Sequence, residues 1–190
     1  MKRTPDAITL VAVDCAYPQL AATALARSAR ALSVARTLLL TDRALTCEGV
    51  EVAQIRPIRS RAAYSQFVLK ELSRFITTDY ALVAQWDGFV IDGAAWADEF
   101  WNYDYIGAKW PHLGGDFRVG NGGFSLRSKR LLGALADPAI TLNENENEDE
   151  AICIRHRELL ERKYGIRFAD ERVADRFAFD VGRPNGPTLG

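Results

Sequence analysis

No apolar run in this chain approaches the roughly 20 residues that a membrane-spanning helix needs. The opening MKRTPDAITLVAVD reaches Asp14 without a signal-peptide cleavage pattern. The expected compartment is therefore the cytoplasm, with no integral membrane segment. A surplus of one charge is also missing, since 24 Lys and Arg stand against 25 Asp and Glu, and no nucleic-acid or anionic-membrane partner is implied. Cysteine is scarce. Cys15, Cys47 and Cys153 are far apart and have none of the close Cys or His companions of a zinc site; they read as packed thiols. The phosphate loop G-x-x-x-x-G-K-[ST] is absent, and no G-x-G-x-x-G opens a helix after the first strand, which disfavours P-loop and classical dinucleotide readings. Nor is there an internal repeat or a Pro/Ser-rich linker. A chain of 190 residues can build one sizeable core but is short for two, so residues 1–190 are expected to form one domain.

What is present has α/β texture. ITLVAV, residues 8–13, is a β-branched apolar run suited to a strand covered on both faces. Residues 18–36 are rich in Ala and Leu and predict a helix, with Leu20, Ala24, Leu25 and Leu32 inward and Arg27 and Arg30 outward. TLLLT, residues 37–41, predicts a second strand, and residues 50–55 a third, more exposed one. Residues 62–76 place Phe67 or Val68, Leu72, Phe75 and Ile76 at helical spacing, and YALVAQ, residues 80–85, is the next buried strand. The order β-α-β-β-α-β argues for an open sheet whose ligand sits beyond the carboxyl ends of its strands. After Asp92 the texture changes to aromatic, glycine-rich loops holding short elements, where function is expected to concentrate.

Three signals carry chemistry. In QWDGFVID, Asp87 follows a buried strand and precedes a glycine: it can hold a divalent cation or face a ligand hydroxyl, or simply form the turn, as Asp-Gly pairs often do. Asp92 is the weaker candidate of the two. In NENENEDE, a low-complexity acidic stretch, Asn147 and Glu150 have capping-box spacing for a helix that should stop near Gly165. Spacing puts Asp149 on the face of Ile152, Cys153 and His156, which turns toward the protein, so Asp149 is either a favourable first-turn acid or a general base. In VGNGGF, adjacent glycines permit close backbone approach to a ligand, although a lone NGG is more commonly a tight turn. His112, in a glycine-rich loop, can reach a ligand or be a surface residue. His156 reads as a satisfied half-buried histidine, and Trp110 as either a platform for a sugar ring or a core residue.

Taken in order, QWDGFVID, YDYIGAKWP, VGNGGFSLRS, NEDEAIC and RFAFD resemble a bacterial family of unknown-function domains allied to the GT-A glycosyltransferases, from about Ile8 to the end of the chain. The resemblance implies an α/β fold with a GT-A-like (Rossmann-like) mixed, mainly parallel central sheet flanked by helices. It implies transfer of a sugar from a nucleotide diphosphate donor to a hydroxyl of a glycan or related acceptor. Asp87 would take the metal and donor-diphosphate role with Mn²⁺ or Mg²⁺, although QWDGF keeps one aspartate where a full D-x-D motif has two. Asn121, Gly122 and Gly123 would shape the donor-sugar site, and Asp14, Tyr64 and Ser65 sit where nucleotide contacts are expected. Glu148 and Asp149 match the acidic pair whose aspartate deprotonates the acceptor. Trp110 and His112 would belong to the acceptor side. The family pattern usually continues past a segment like GRPNGPTLG into an aromatic-His-Gly stretch, whereas this sequence ends at Gly190. A non-catalytic nucleotide-sugar or glycan-binding module is the alternative, and a metal-dependent phosphohydrolase is disfavoured because no further metal ligands accompany Asp87.

Overall fold

Strand β1 (Ile8–Val13) is buried at all of its positions and apolar at all but Thr9, which suits a central strand covered on both faces. It pairs in parallel with β2 (Arg36–Thr41) on one side and β4 (Tyr80–Val83) on the other. Strand β3 (Glu51–Gln54) adds a more exposed parallel edge beyond β2. On the far side of β4 the direction reverses: β6 (Val119–Ser128) runs antiparallel to β4, and β5 (Tyr105–Lys109) antiparallel to β6. The resulting order is β3-β2-β1-β4-β6-β5. In the computed structural model, residues 7–181 and 186–190 are described. Residues 1–6, on which part of the signal-peptide reading falls, and residues 182–185, which open GRPNGPTLG, lie outside the described residues.

Alternation along the strands sorts the core into two layers. Ile8, Leu10 and Ala12 face helices α1 (Pro18–Ala31) and α6 (Glu171–Phe177), meeting Ala21, Leu25, Val173 and Phe177. Val11 and Val13 face the opposite layer, with Phe67 of α2 (Arg61–Lys70), Leu131 of α3 (Lys129–Ala134) and, beyond the single turn α4 (Glu148–Glu150), Leu160 of α5 (Arg157–Tyr164). Each fully buried leucine or isoleucine contributes about 1.5–3 kcal/mol of transfer free energy. The two layers therefore fix the sheet, and with it the positions at which the strands run out.

Several elements differ in extent from the expectation. Helix α1 ends at Ala31 rather than Arg36, because the Ala35 N–H donates to the Ile8 carbonyl and draws the chain into the sheet. Leu20, expected inside, is half exposed, and the inward stripe is Ala21, Ala22, Ala24, Leu25 and Ser28. The helix expected over 62–76 is α2 followed by a 3₁₀ turn, Leu72–Phe75. The largest difference is VGNGGFSLRS, which is one ten-residue strand rather than a turn and a strand. Its glycines let neighbouring groups close in: a Cβ on Gly120 would stand 2.3 Å from the Trp110 ring and 2.9 Å from Cys153 Cβ. Trp110 is buried there, in the core layer of α2 and α5.

Gly120→Ala should therefore overpack a site with no room for a methyl group. We expect a loss of about 1–3 kcal/mol, read from the urea midpoint at unchanged m-value; an unchanged midpoint would show that the Trp110 ring can yield without cost.

Candidate functional site

Parallel strands ending at the same edge leave a crevice beyond their last residues. Here Ala12, Val13 and Asp14 at the end of β1, with Ala84 and Gln85 after β4, line a cleft of about 810 Å³, a size suited to a small-molecule ligand. Its other walls are the turn into α1 (Cys15 to Tyr17), Arg43 after β2, and Ile58, Arg59, Ser60, Arg61 and Tyr64 at the start of α2. The Asp14 carboxylate builds one wall: its Oδ1 accepts the N–H groups of Ala16 at 2.8 Å and Tyr17 at 2.6 Å. Exposed Tyr17 and Trp86 stand edge to face at the mouth, with ring centroids 6.3 Å apart.

A smaller cavity of about 240 Å³ shares Arg61, Tyr64 and Gln85 with the cleft and is otherwise lined by Ser65, Asn121, Gly122, Gly123, Asn147, Glu148 and Asp149. The direction of β6 explains the convergence. Being antiparallel to β4, it brings its first half to the edge where β1 and β4 end. Its ladder with β5 slips between Ile106 and Ala108, and a bulge of this kind frees strand backbone from pairing. Gly122 then lies against α4: its N–H donates to Asp149 Oδ2 at 2.9 Å, and a Cβ in its place would come within 2.9 Å of Asp149 Cβ.

The acidic turn is held from three sides. Asn147 and Glu150 form the expected capping box, and the helix is closed at the other end by Gly165, at φ +63°. Between them residues Ala151–Arg155 form a π turn, a local widening that often accompanies functional sites and that periodicity does not show. Glu148 is buried; its Oε2 accepts from Ser65 Oγ at 3.1 Å, and its Oε1 pairs with Arg127 at 3.2 Å. Asp149 is half-buried, and Glu150 N–H donates to its Oδ1 at 2.9 Å. Burial, followed by the negative charge of Glu148, pushes its pKa up to about 6, against the opposing pull of the Gly122 N–H and Arg127. Tyr64, pushed well above the ordinary phenol value chiefly by burial, stays a neutral hydroxyl; it accepts from Gln85 Nε2 at 3.2 Å and keeps its proton to donate.

Of the residues singled out in the sequence, Tyr64, Ser65, Asn121, Gly122, Gly123, Glu148 and Asp149 meet around the smaller cavity, and Asp14 and Tyr64 line the cleft. Ser65 is wholly buried, and the Asn121 amide is occupied, accepting from the Gly123 N–H and donating to Asp180. Three others stand apart. Trp110 is in the core, His112 is exposed on the turn after β5, and Asp87 is exposed on the turn that Gln85 and Gly88 close by reciprocal hydrogen bonds; none of them lines either cavity. Asp92 caps a 3₁₀ turn, and His156 is buried and satisfied by Thr141. The structure adds Arg43, Arg59, Arg61, Gln85 and buried Arg127. For Arg59 and Arg61 the signal was the run RPIRSR that leads into α2.

A divalent cation needs several oxygen ligands. Among the described residues no three His, Cys, Asp or Glu side chains gather as a metal site. Asp87 is a lone exposed carboxylate, and one oxygen of Asp14 is already committed to backbone. This donor set does not fit a resident Mn²⁺ or Mg²⁺.

Comparison with known proteins places this arrangement in a fold. The chain is similar to the mannosyltransferase PcManGT from Pyrobaculum calidifontis, solved in complex with GDP-Man and Mn²⁺, with a TM-score of 0.55 and 11% identity, over 87% of this chain and 55% of that one. It is also similar to the apo-form glycosyltransferase GlyE of Streptococcus pneumoniae TIGR4, with a TM-score of 0.50 and 17% identity, over 87% of this chain and 45% of that one. The chain thus spans about half the length of these structures. The likeness is one of fold, the GT-A-like mixed sheet with flanking helices. No curated protein matches the sequence. Residues 49–185, most of the chain, match the family described as "Protein of unknown function (DUF5672)", and the chain belongs to that family.

Proposed function

We propose that this protein is a glycosyltransferase that moves a sugar from a nucleotide diphosphate donor to a hydroxyl of a glycan or related acceptor. The observation that carries the reading is the junction of the two cavities: a nucleotide-sized cleft over the ends of β1 and β4 opens beside a sugar-sized pocket whose wall is Asp149. The Tyr17 and Trp86 rings at the mouth offer an apolar edge for a base. The likeness of fold to two glycosyltransferases supports the same reading.

In this reading Asp149 is the general base. A base works best with a pKa close to the working pH, and a carboxylate raised to about 6 is mostly ionised at neutral pH yet far more basic than an ordinary one. Its two backbone hydrogen bonds orient it and leave lone pairs for the acceptor O–H. The acceptor proton passes to Asp149 while the acceptor oxygen bonds to the anomeric carbon. The bond from that carbon to the diphosphate breaks, and its electron pair leaves on the phosphate oxygen. Glu148 is buried and paired to Arg127, so it holds Asp149's pKa up rather than touching the acceptor.

Two measurements check this. Across a panel of nucleotide sugars and hydroxyl acceptors, release of nucleoside diphosphate should rise with pH through about 6, and Asp149→Asn should lower it by about 10²–10⁴-fold while leaving donor binding nearly intact. Transfer unchanged in Asp149→Asn would remove that residue from the mechanism, and donor binding without turnover on any acceptor would favour a binding module.

The second measurement is of stability. Native Asp149 titrates near 6 and the unfolded side chain near its ordinary 3.8, so the native state binds more protons between those values and loses stability as pH rises through them. Relative to Asp149→Asn, the wild type should lose on the order of 2–3 kcal/mol between about pH 4 and pH 6, read from urea midpoints. Curves that stay parallel would place this carboxyl at an ordinary pKa.

A further inference from the structure

We infer that the donor's diphosphate is held by arginine side chains, Arg61 foremost, in the place that the fold family gives to a divalent cation. The inference rests on the transferase reading and concerns the same cleft. Three guanidinium groups, Arg43, Arg59 and Arg61, line the larger cavity against one carboxylate, Asp14. Counting Asp42, which pairs with Arg59 beside the cleft, the local charge is still net positive, and that favours a diphosphate over a divalent cation. Arg61 is the one of the three that also lines the smaller cavity, across from Glu148 and Asp149. A donor with its nucleoside in the larger cavity and its sugar in the smaller one must pass its diphosphate along this shared wall.

The chain leaves Arg61 free for the task. It is the first residue of α2, where Ser60 accepts the Ala63 N–H at 3.1 Å and fixes the helix start. Its side chain is exposed and, among the described residues, has no ion-pair partner. Its two neighbours are partly committed: Arg59 pairs with Asp42 at 2.9 Å, and Arg43 lies 4.0 Å from the same carboxylate. A guanidinium is permanently charged and presents a planar fork of donors that matches phosphate oxygens two at a time. As the bond to the anomeric carbon breaks, negative charge grows on the diphosphate oxygen, and a fixed cation at that point stabilises the leaving group. The cation's role is thereby filled from the chain itself. Asp87 takes no part, consistent with its position outside both cavities.

The test is calorimetric titration of the full chain with UDP, GDP, CDP, ADP and dTDP, first in EDTA and then with Mn²⁺. At least one of these should bind in EDTA with an affinity that Mn²⁺ leaves unchanged. Arg61→Ala should weaken it about ten- to a hundredfold, the loss expected for one charged hydrogen-bonding group, and Arg61→Lys should recover part of it. The corresponding nucleoside monophosphate should lose less. Arg61 is exposed, so its variants should melt as the wild type does, and Arg162→Ala, at a distant exposed position, serves as the charge control. Unchanged affinity in Arg61→Ala would overturn the inference. So would binding that requires Mn²⁺ and disappears in Asp87→Asn, a result that leaves the transferase reading standing. Failure of the wild type to bind any of the five diphosphates under either condition would overturn both.

Discussion

Arg127 is wholly enclosed by protein, and its guanidinium is the group on which the pocket's geometry depends. It projects from β6, donates to Ser125 Oγ at 3.0 Å and to the Gly122 carbonyl at 3.4 Å, and pairs with Glu148 at 3.2 Å. It also lies 5.4 Å from the centre of the Tyr105 ring, so its uncommitted Nη1 belongs to a cation stacked against an aromatic face. Through Glu148 the pair continues to Ser65 on α2. One buried cation thus joins β6, α4 and α2, the elements that wall the smaller cavity. Such pairs cost as much in desolvation as they return, yet removing one partner typically destabilises by about 3–5 kcal/mol because the other charge is left buried. Its value here is geometric: β6 and the acidic turn must meet in one register.

That register explains why glycine occurs where β6 meets α4. Arg127 and Asp149 approach the strand backbone so closely that a Cβ on Gly122 would lie 2.8 Å from one and 2.9 Å from the other. The strand therefore serves as a platform whose N–H and carbonyl groups replace side chains: the Gly122 N–H orients Asp149, and its carbonyl receives Arg127 and Ser125. The reversal of β6 relative to β4 is equally necessary. A parallel strand would have carried this segment to the opposite edge of the sheet, away from the ends of β1 and β4.

The first half of the fold was legible because each element announced itself locally. ITLVAV and YALV are strand-length runs that are apolar but for Thr9, the alanine-rich stretch is helical by propensity, and the capping box and Gly165 bracket the helical segment 148–164 by chemistry that acts over three or four residues. The second half obscured itself for the converse reason. Glycine carries no periodicity, so a bulged strand reads as a turn, and a π turn replaces a 3.6-residue period with nothing that pattern can detect. The NGG and NEDE segments could be flagged as chemically notable, but their meeting depends on β6 running antiparallel, a long-range fact. Trp110 shows the limit most plainly, since its two readings differ only in whether Gly120 lies against its ring. The arginines of RPIRSR were visible, but in a chain of near-zero net charge they meant little until Arg59 and Arg61 shared a cavity with Arg43 from the far side of β3 in sequence.

Electrostatics divides the crevice along its length, and the division follows the proposed reaction. At the cleft end, exposed arginines outnumber the acids that line the cavity, which suits the diphosphate of the proposed donor. At the pocket end, a half-buried carboxylate sits beside a second one, and burial plus that neighbour raises its affinity for a proton. Exchanging the two environments would defeat both steps: an ordinary, well-solvated carboxylate is too weak a base to draw a hydroxyl proton near neutral pH, and a buried arginine paired to an acid has its charge compensated and its donors occupied. Arg127 and Arg61 illustrate the contrast within one site. Arg127 is enclosed, paired and structural, whereas Arg61 is exposed, unpaired among the described residues and directed into the crevice. Burial decides which of two identical side chains holds the fold together and which can answer a ligand.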